Sequence, residues 1–459
     1  MNRPVLVALL GCALLLGCRS RGGSVPESIE PDRESWIARL PATATVQEYA
    51  TELARLNSDV PASFDPSDGL SVREAEAVAL VFNGELRRAR LDARVPLLGA
   101  RQAGVAEDPR FEFDLLRVLE SVSNPWVAIS GLKFTVPLSN RLADERIAAF
   151  ASASAAWRAA LVAEAALLTE LRSAWISWSA THERIRLLEG HLRAVEEVLL
   201  IANSQLKAEQ IGATEARVLE LEKVSRGGDL VAERMREQQL LLDLKALMGL
   251  RPEADVELVP SLGPAAGCAA TEHGERQLVE SNPELAHAQA EFLAADRAMR
   301  LEVSRAVPDM EIGALFESEE GVERLGAGVG IPLPLWNKNR RAIAEACAVR
   351  RAARSAYQAT YQDLVARLAR AQADCRATMQ HGAWLRERVA PMADLQLADV
   401  RRIGELGDMD VLILKDALST VLETKLQLVE ARVEHALAAN RRRALAAPTR
   451  TPAGESSPK

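Results

Sequence analysis

Several landmarks in this sequence occur twice, about two hundred residues apart. Asn83-Gly84-Glu85-Leu86 returns as Asn282-Pro283-Glu284-Leu285 at an offset of 199, and Pro109 returns as Pro308 at the same offset. Pro137-Leu138-Ser139-Asn140-Arg141 returns as Pro334-Leu335-Trp336-Asn337-Lys338 at 197, and Val218-Leu219 returns as Val411-Leu412 at 193. An internal repeat constrains the fold more than any local signal, because both copies must build the same unit. The unit is helix-dominated and contains strands.

Each copy has the same order of elements. A helix opens at Ser71, an N-cap with Glu74 three residues on, and runs to about Gly104. Two strands follow. Phe111, Phe113 and Leu115 alternate with Glu112 and Asp114, Asn124-Pro125 marks a turn, and Trp126 to Val136 returns. In the second copy Met310, Ile312, Ala314 and Phe316 alternate with Glu311 and Gly313. After an acidic turn, Leu325, Ala327, Val329 and Ile331 alternate with glycines. These strand lengths suit a tilted membrane strand of about 9–11 residues. Four strands alone leave open edges, which lipid does not tolerate, so spanning requires oligomerisation into a closed barrel.

Long helices separate the hairpins. Arg141 to Lys207 holds 67 residues without proline, and Lys338 to Ile403 holds 66 with none before Pro391. At 1.5 Å per residue each reaches roughly 100 Å. Small residues along the first (Ala148, Ala149, Ala151, Ala153, Ala155, Ala156) allow close helix approach. Each helix is expected to turn at glycine, Gly212 in one copy and Gly404 with Gly407 in the other, before returning over 214–249 and 408–444. The shrinking offset implies a shorter second copy between hairpin exit and tip. The copies are then expected to differ most at the tips, where any gate is sought, on the second copy first.

The composition is 48% hydrophobic but only 4% aromatic, the balance of long packed helices. A net charge of −8 gives no basic face for nucleic acid. No nucleophile elbow, phosphate loop or coherent carboxylate pair argues for an enzyme. The six histidines, including His182, His191, His273 and His287, are scattered and predict no metal site, and no cofactor is implied.

Residues 1–17 read as a lipoprotein signal peptide: Arg3, an apolar run from Val5 to Leu16, then Leu15-Leu16-Gly17-Cys18. Cys18 is the expected lipid attachment, since Cys12 leaves too short an apolar core. Arg19 after it favours the outer membrane. Cys268, Cys347 and Cys375 then remain in an exported chain. Cys347 and Cys375, roughly 40 Å apart along one helix, cannot bond to each other and are expected to be buried apolar residues. Domains are expected at 18–70 (tether and periplasmic extension), 71–249 (first repeat, hairpin 109–137, tip near 212), 250–274 (linker) and 275–447 (second repeat, hairpin 308–335, tip near 404–410). A disordered tail is expected at 448–459.

This order behind a lipobox closely resembles the TolC-type outer-membrane efflux family over essentially the whole mature chain. The matching segments are Leu70-Ser71-Val72-Arg73-Glu74-Ala75, Asn83-Gly84-Glu85-Leu86, Asn282-Pro283-Glu284-Leu285, Gly330-Ile331-Pro332-Leu333-Pro334-Leu335-Trp336-Asn337-Lys338-Asn339, and the stretch from Gly404 to Leu412. The segment ending at Asn339 is similar to the strand-to-helix junction of the family's cation-efflux branch. Gly84 stands where the family's first repeat usually has proline, and the strands are poor in aromatics.

The resemblance implies a mainly α fold with a small β part: a homotrimer whose four strands per protomer close a 12-stranded β-barrel above an α-barrel of long helical hairpins. It implies a passive duct in the outer membrane of a Gram-negative bacterium, reaching into the periplasm. The expected partners are a periplasmic adaptor, an inner-membrane pump of RND type and outer-membrane lipid. The cargo would be metal cations, otherwise drugs or small molecules. The alternative is a non-conducting, lipid-anchored periplasmic scaffold or adaptor. Glu112, Asp114 and Glu311 are candidate lumen residues with Phe111 and Phe113 facing lipid; the plainer reading is an amphipathic hairpin on a soluble core. Gly212, Gly404, Gly407, Asp408 and Asp410 form the candidate gate and adaptor-docking tip. For Asp408 and Asp410 two readings stay open, a carboxylate ring at the pore mouth or helix N-capping.

Overall fold

A computed structural model of the chain describes residues 28–56, 64–119, 125–263, 274–319, 322–405 and 410–446. The leader with Cys18, Cys268, Gly407, Asp408 and the tail lie outside these residues. Residues up to Leu40 form one unit and those from Pro41 another. The first carries helix α1 (Glu30–Ile37), within the 18–70 stretch expected as tether and periplasmic extension.

In the second unit, α2 is Ala44–Leu56, α3 Val72–Phe82 and α4 Gly84–Gln102. The helix expected from Ser71 to Gly104 is therefore two helices, parted at Asn83. Strands β1 (Arg110–Arg117) and β2 (Trp126–Val136) lead into α5 (Arg141–Lys207), which returns as α6 (Ala213–Leu247). The second copy runs α7 (Gly274–Ser281), α8 (Pro283–Ser304), β3 (Met310–Glu319), β4 (Val322–Gly330) and α9 (Arg340–Trp384). It continues through a π-turn (Leu385–Val389) to α10 (Ala390–Glu405) and returns as α11 (Val411–Ala446). Among the described residues no helix is long and apolar enough to cross a membrane.

Local chemistry sets these boundaries. Ser71 and Glu74 form a reciprocal capping box, the Ser71 N–H donating to Glu74 Oε2 at 2.9 Å. Asn83 accepts from the Leu86 N–H at 2.9 Å and donates through Nδ2 to the Leu247 carbonyl at 2.9 Å. Asn282 repeats both bonds, to Leu285 at 3.0 Å and Leu445 at 3.2 Å. Each asparagine thus starts one helix and ties it to the end of the returning helix. Gly249 follows α6 at φ +70°, where an added Cβ would overlap the Phe82 carbonyl, so only glycine allows that approach. Pro391 lacks the N–H that would bond to the Glu387 carbonyl. The helix absorbs this as a π-turn, with the Ala390 N–H bonding to the Leu385 carbonyl, rather than breaking.

Helix starts and ends fix how the copies correspond. Arg141 and Arg340 open the long helices at an offset of 199, while Ala213 and Val411 open the return helices at 198. The offset falls instead within the hairpins, where β2 and β4 end at Val136 and Gly330, 194 apart. This corrects the sequence alignment of Val218 with Val411, and of Asn140 with Asn337. The copies differ most in their hairpins, and the tip helices are nearly equal. Hairpins change length through turns and register at little cost, whereas an inserted helical residue rotates everything beyond it by about 100°.

The largest buried cluster lies where α3, the middle of α5, the end of α6 and the 250–258 segment meet. Leu70, Val78, Leu171, Trp175, Leu244 and Met248 are essentially inaccessible there. Each such side chain contributes roughly 1.5–3 kcal/mol of burial free energy. Beside this cluster Glu76 is buried with Arg172, and Glu164 with Arg90 at 2.8 Å. Cys375, fully buried, is disulfide-bonded, which corrects its expected role as an apolar thiol; Cys347 is free and half-buried.

Candidate functional site: a two-faced sheet and paired helix tips

The four strands form one antiparallel sheet in the order β1-β2-β3-β4. The two copies join at its centre, where β2 pairs with β3 from Val127↔Glu319 to Val136↔Met310. Opposed residues in such a ladder share a face. Register places Glu112, Asp114, Ile129, Gly131, Lys133, Glu311, Gly313, Glu317, Arg324, Gly326 and Gly328 on one face. Phe111, Phe113, Leu115, Leu132, Phe134, Ile312, Phe316, Leu325 and Val329 share the other. The first face carries most of the sheet's charged side chains and its glycines, together with Leu116, Val127, Ile129, Leu315 and Val322. The second is apolar yet open, with Phe111 62%, Phe113 56% and Leu325 82% exposed.

Glu112, Asp114 and Glu311 thus lie on one face, opposite Phe111 and Phe113. Lys133, Glu317 and Arg324 join them, and sequence reasoning missed these three. Lys133 Nζ meets Glu112 at 2.7 Å, and the Arg324 guanidinium meets Glu319 at 2.9 Å and Glu317 at 3.5 Å. Only the register shows them, since Lys133 sits two residues from the nearest glycine and reads as an isolated charge. Where strands meet helices, Arg141 bonds Asp309 at 2.8 Å and so links the first long helix to the entry of β3. Among the described residues β1 and β4 pair on one side only, leaving two open edges.

At the other end, α5 turns into α6 through 208–212. The left-handed residue of this turn is Glu209 (φ 56°), not Gly212, whose φ of −79° any residue adopts. Gly212 serves as N-cap, its N–H donating to Glu215 at 3.1 Å. Gly404 lies inside α10 rather than in the turn. Asp410 caps α11, accepting from the Leu412 and Ile413 N–H groups at 2.9 and 3.1 Å, so its capping role is present and its carboxylate stays exposed. The two tips pack together through Val198, Ala202 and Leu219 of the first copy against Val411, Leu414 and Leu418 of the second.

Behind that apolar layer lies a charged junction. Glu222 of α6 accepts from Arg226 Nε at 2.9 Å and from Ser419 Oγ of α11 at 3.2 Å, with Lys415 Nζ 4.0 Å away. Burial pushes the Glu222 carboxyl up, but Arg226, Lys415 and Ser419 outweigh it and hold it below the usual carboxylate range. Among the described residues no group of three or more His, Cys, Asp or Glu side chains is placed to hold a metal ion.

The strand-to-helix junction of the second copy is built by the motif ending at Asn339. This residue is left-handed (φ 53°), and its Nδ2 donates to the Glu302 carbonyl at 2.8 Å and to Glu302 Oε2 at 2.7 Å, tying α9 to the end of α8.

Residues 276–447 match the family model described as outer membrane efflux protein. No curated protein matches the sequence. Among solved structures, the outer-membrane channel OprN is similar with a TM-score of 0.71 at 14% identity, over 88% of this chain and 93% of that one. The outer membrane protein VceC of Vibrio cholerae gives 0.69 at 15% identity, over 82% and 96%. The MtrE outer membrane channel of Neisseria gonorrhoeae, in its open state, gives 0.67 at 16% identity, over 82% and 89%. The second repeat therefore carries the sequence pattern of the outer membrane efflux protein family, and the chain as a whole has the fold of the TolC-type efflux channels.

Proposed function

We propose that three copies of this chain close a 12-stranded barrel in the outer membrane and form a passive duct of a tripartite efflux system. The observation that carries this reading is the sheet: one face that gathers most of the charges and the glycines, one exposed apolar face, and two unpaired edges on a single protomer. In water such a sheet exposes a large apolar patch and two strand templates. Lipid against the apolar face and neighbouring protomers at the edges resolve both. Glu112, Asp114, Glu311, Lys133, Glu317 and Arg324 then line the lumen. The helices continue the duct into the periplasm, where the tips around Gly212, Gly404 and Asp410, with Gly407 and Asp408, receive an adaptor linked to an RND-type pump.

Cys18 would carry the lipid anchor that directs the chain to the outer membrane. The protein needs no catalytic group in this role. Similarity of the Pro332–Asn339 junction to the cation-efflux branch favours metal cations as cargo. Purified protein in planar bilayers tests the duct: discrete channel openings are expected. No conductance under any voltage, or with any adaptor, would leave the lipid-anchored scaffold as the better reading.

A further inference from the structure

The charged junction behind the tips contains a group that the duct reading does not use. His191 of α5 is 6% exposed, and its Nε2 is buried without a hydrogen-bond partner. Glu222 Oε1 lies 3.4 Å from it, already engaged by Arg226 and Ser419. Three helices from both copies converge on this point. From α6 come Glu222 and Arg226; from α11 come Lys415 and Ser419, with Glu423 reaching Arg226 at 3.4 Å. The tip-side apolar contacts of Val198, Ala202 and Leu219 with Leu414 and Leu418 are next to it. Two cations therefore already attend Glu222, the half-buried carboxylate that faces the ring.

We propose that His191 is an acid-sensitive latch. Neutral, it fills the junction and leaves Glu222 to hold α5, α6 and α11 together; protonated, it adds a third cation beside one carboxylate and loosens the tip helices. The desolvation cost of a buried imidazolium drives the change, because opening the junction returns that charge to water. Burial lowers the His191 affinity for a proton. Glu222 opposes this, while Arg226 and Lys415 reinforce it, and the net direction is below the ordinary histidine value.

The sign follows. The open junction binds a proton near the ordinary histidine pKa of about 6.5, and the closed one only at lower pH. Closure is fully stable above that value and weakens as pH falls through it. Each pH unit below it raises the open population by up to about tenfold. For a duct, this couples tip opening to acidification, and that consequence rests on the proposed function; the latch itself does not.

Amide hydrogen exchange on the full chain extracted from membranes tests it, with rates corrected for their intrinsic pH dependence. Between pH 6.5 and 5.5, opening across 195–222 and 411–423 is expected to rise up to about fivefold, with the stretch 167–178 unchanged. His191→Gln should remove the response. His182→Gln should keep it, since that histidine pairs with Glu237 at 2.9 Å elsewhere on the same two helices. A native chain without local acid response, protection that increases in acid, or His191→Gln responding like the native chain would overturn the latch. Acid loosening in a chain that never conducts would leave the latch standing and remove the duct.

Discussion

Asn83 and Asn282 each hold two helix ends at once. Both are buried, both cap a helix, and both reach a carbonyl at the end of the returning helix of their own copy. Replacing Asn83 by alanine removes a cap and leaves the half-buried Leu247 carbonyl without this donor. The expected cost is about 1–3 kcal/mol, with a similar loss for Asn282→Ala. Denaturant unfolding should show lower midpoints at unchanged slope for both; an effect below about 0.5 kcal/mol would mean the bonds are incidental. The recurrence of these asparagines was legible in the sequence, but their capping was not, because the apolar periodicity from Ser71 runs on through Asn83 as if one helix. Nor was Glu209, since nothing marks a non-glycine residue for the left-handed region, and Gly212 drew attention that belonged three residues earlier.

At the scale of elements, the strands were legible by alternation and the long helices by the absence of proline. Their correspondence was not. Val218-Leu219 and Val411-Leu412 look alike, but a helical pattern repeats every three or four residues, so a short apolar pair matches in several registers. The structure aligns the helix starts instead and moves the divergence into the hairpins. Strand faces could be assigned within each strand, whereas the pairing of β2 with β3 and the ion pairs of Lys133 and Arg324 required the sheet. The two faces make a direct contrast. Phe113→Arg puts a charge on the apolar face, costing roughly 2–4 kcal/mol if it lies near the bilayer midplane. It should sharply reduce the membrane-inserted fraction. Asp114→Lys, one residue away on the charged face, should insert normally and shift the reversal potential toward anions. Equal insertion of both variants would argue that the sheet does not face lipid.

For the whole molecule, the repeat means that one chain supplies two hairpins to a sheet and two helical hairpins behind it, with Arg141 and Asp309 linking the copies at one end and Glu222 and Ser419 at the other. The family model matches the second repeat, over residues 276–447. The first keeps the architecture while departing at points such as Gly84, which occupies the same position after its asparagine cap as Pro283 does in the second. In the proposed duct, neighbouring copies cover the open edges of β1 and β4. Within a protomer these edges are three strand spacings apart, roughly 14 Å, beyond the reach of a disulfide. The decisive measurement is therefore oxidative cross-linking in native membranes. One cysteine is placed along Arg110–Arg117 and a second along Val322–Gly330, in a background with Cys347→Ser. A closed barrel of three copies gives covalent dimers and trimers at the matching registers and nothing larger. Monomer at every register, or an open ladder of higher species, would contradict the trimeric duct.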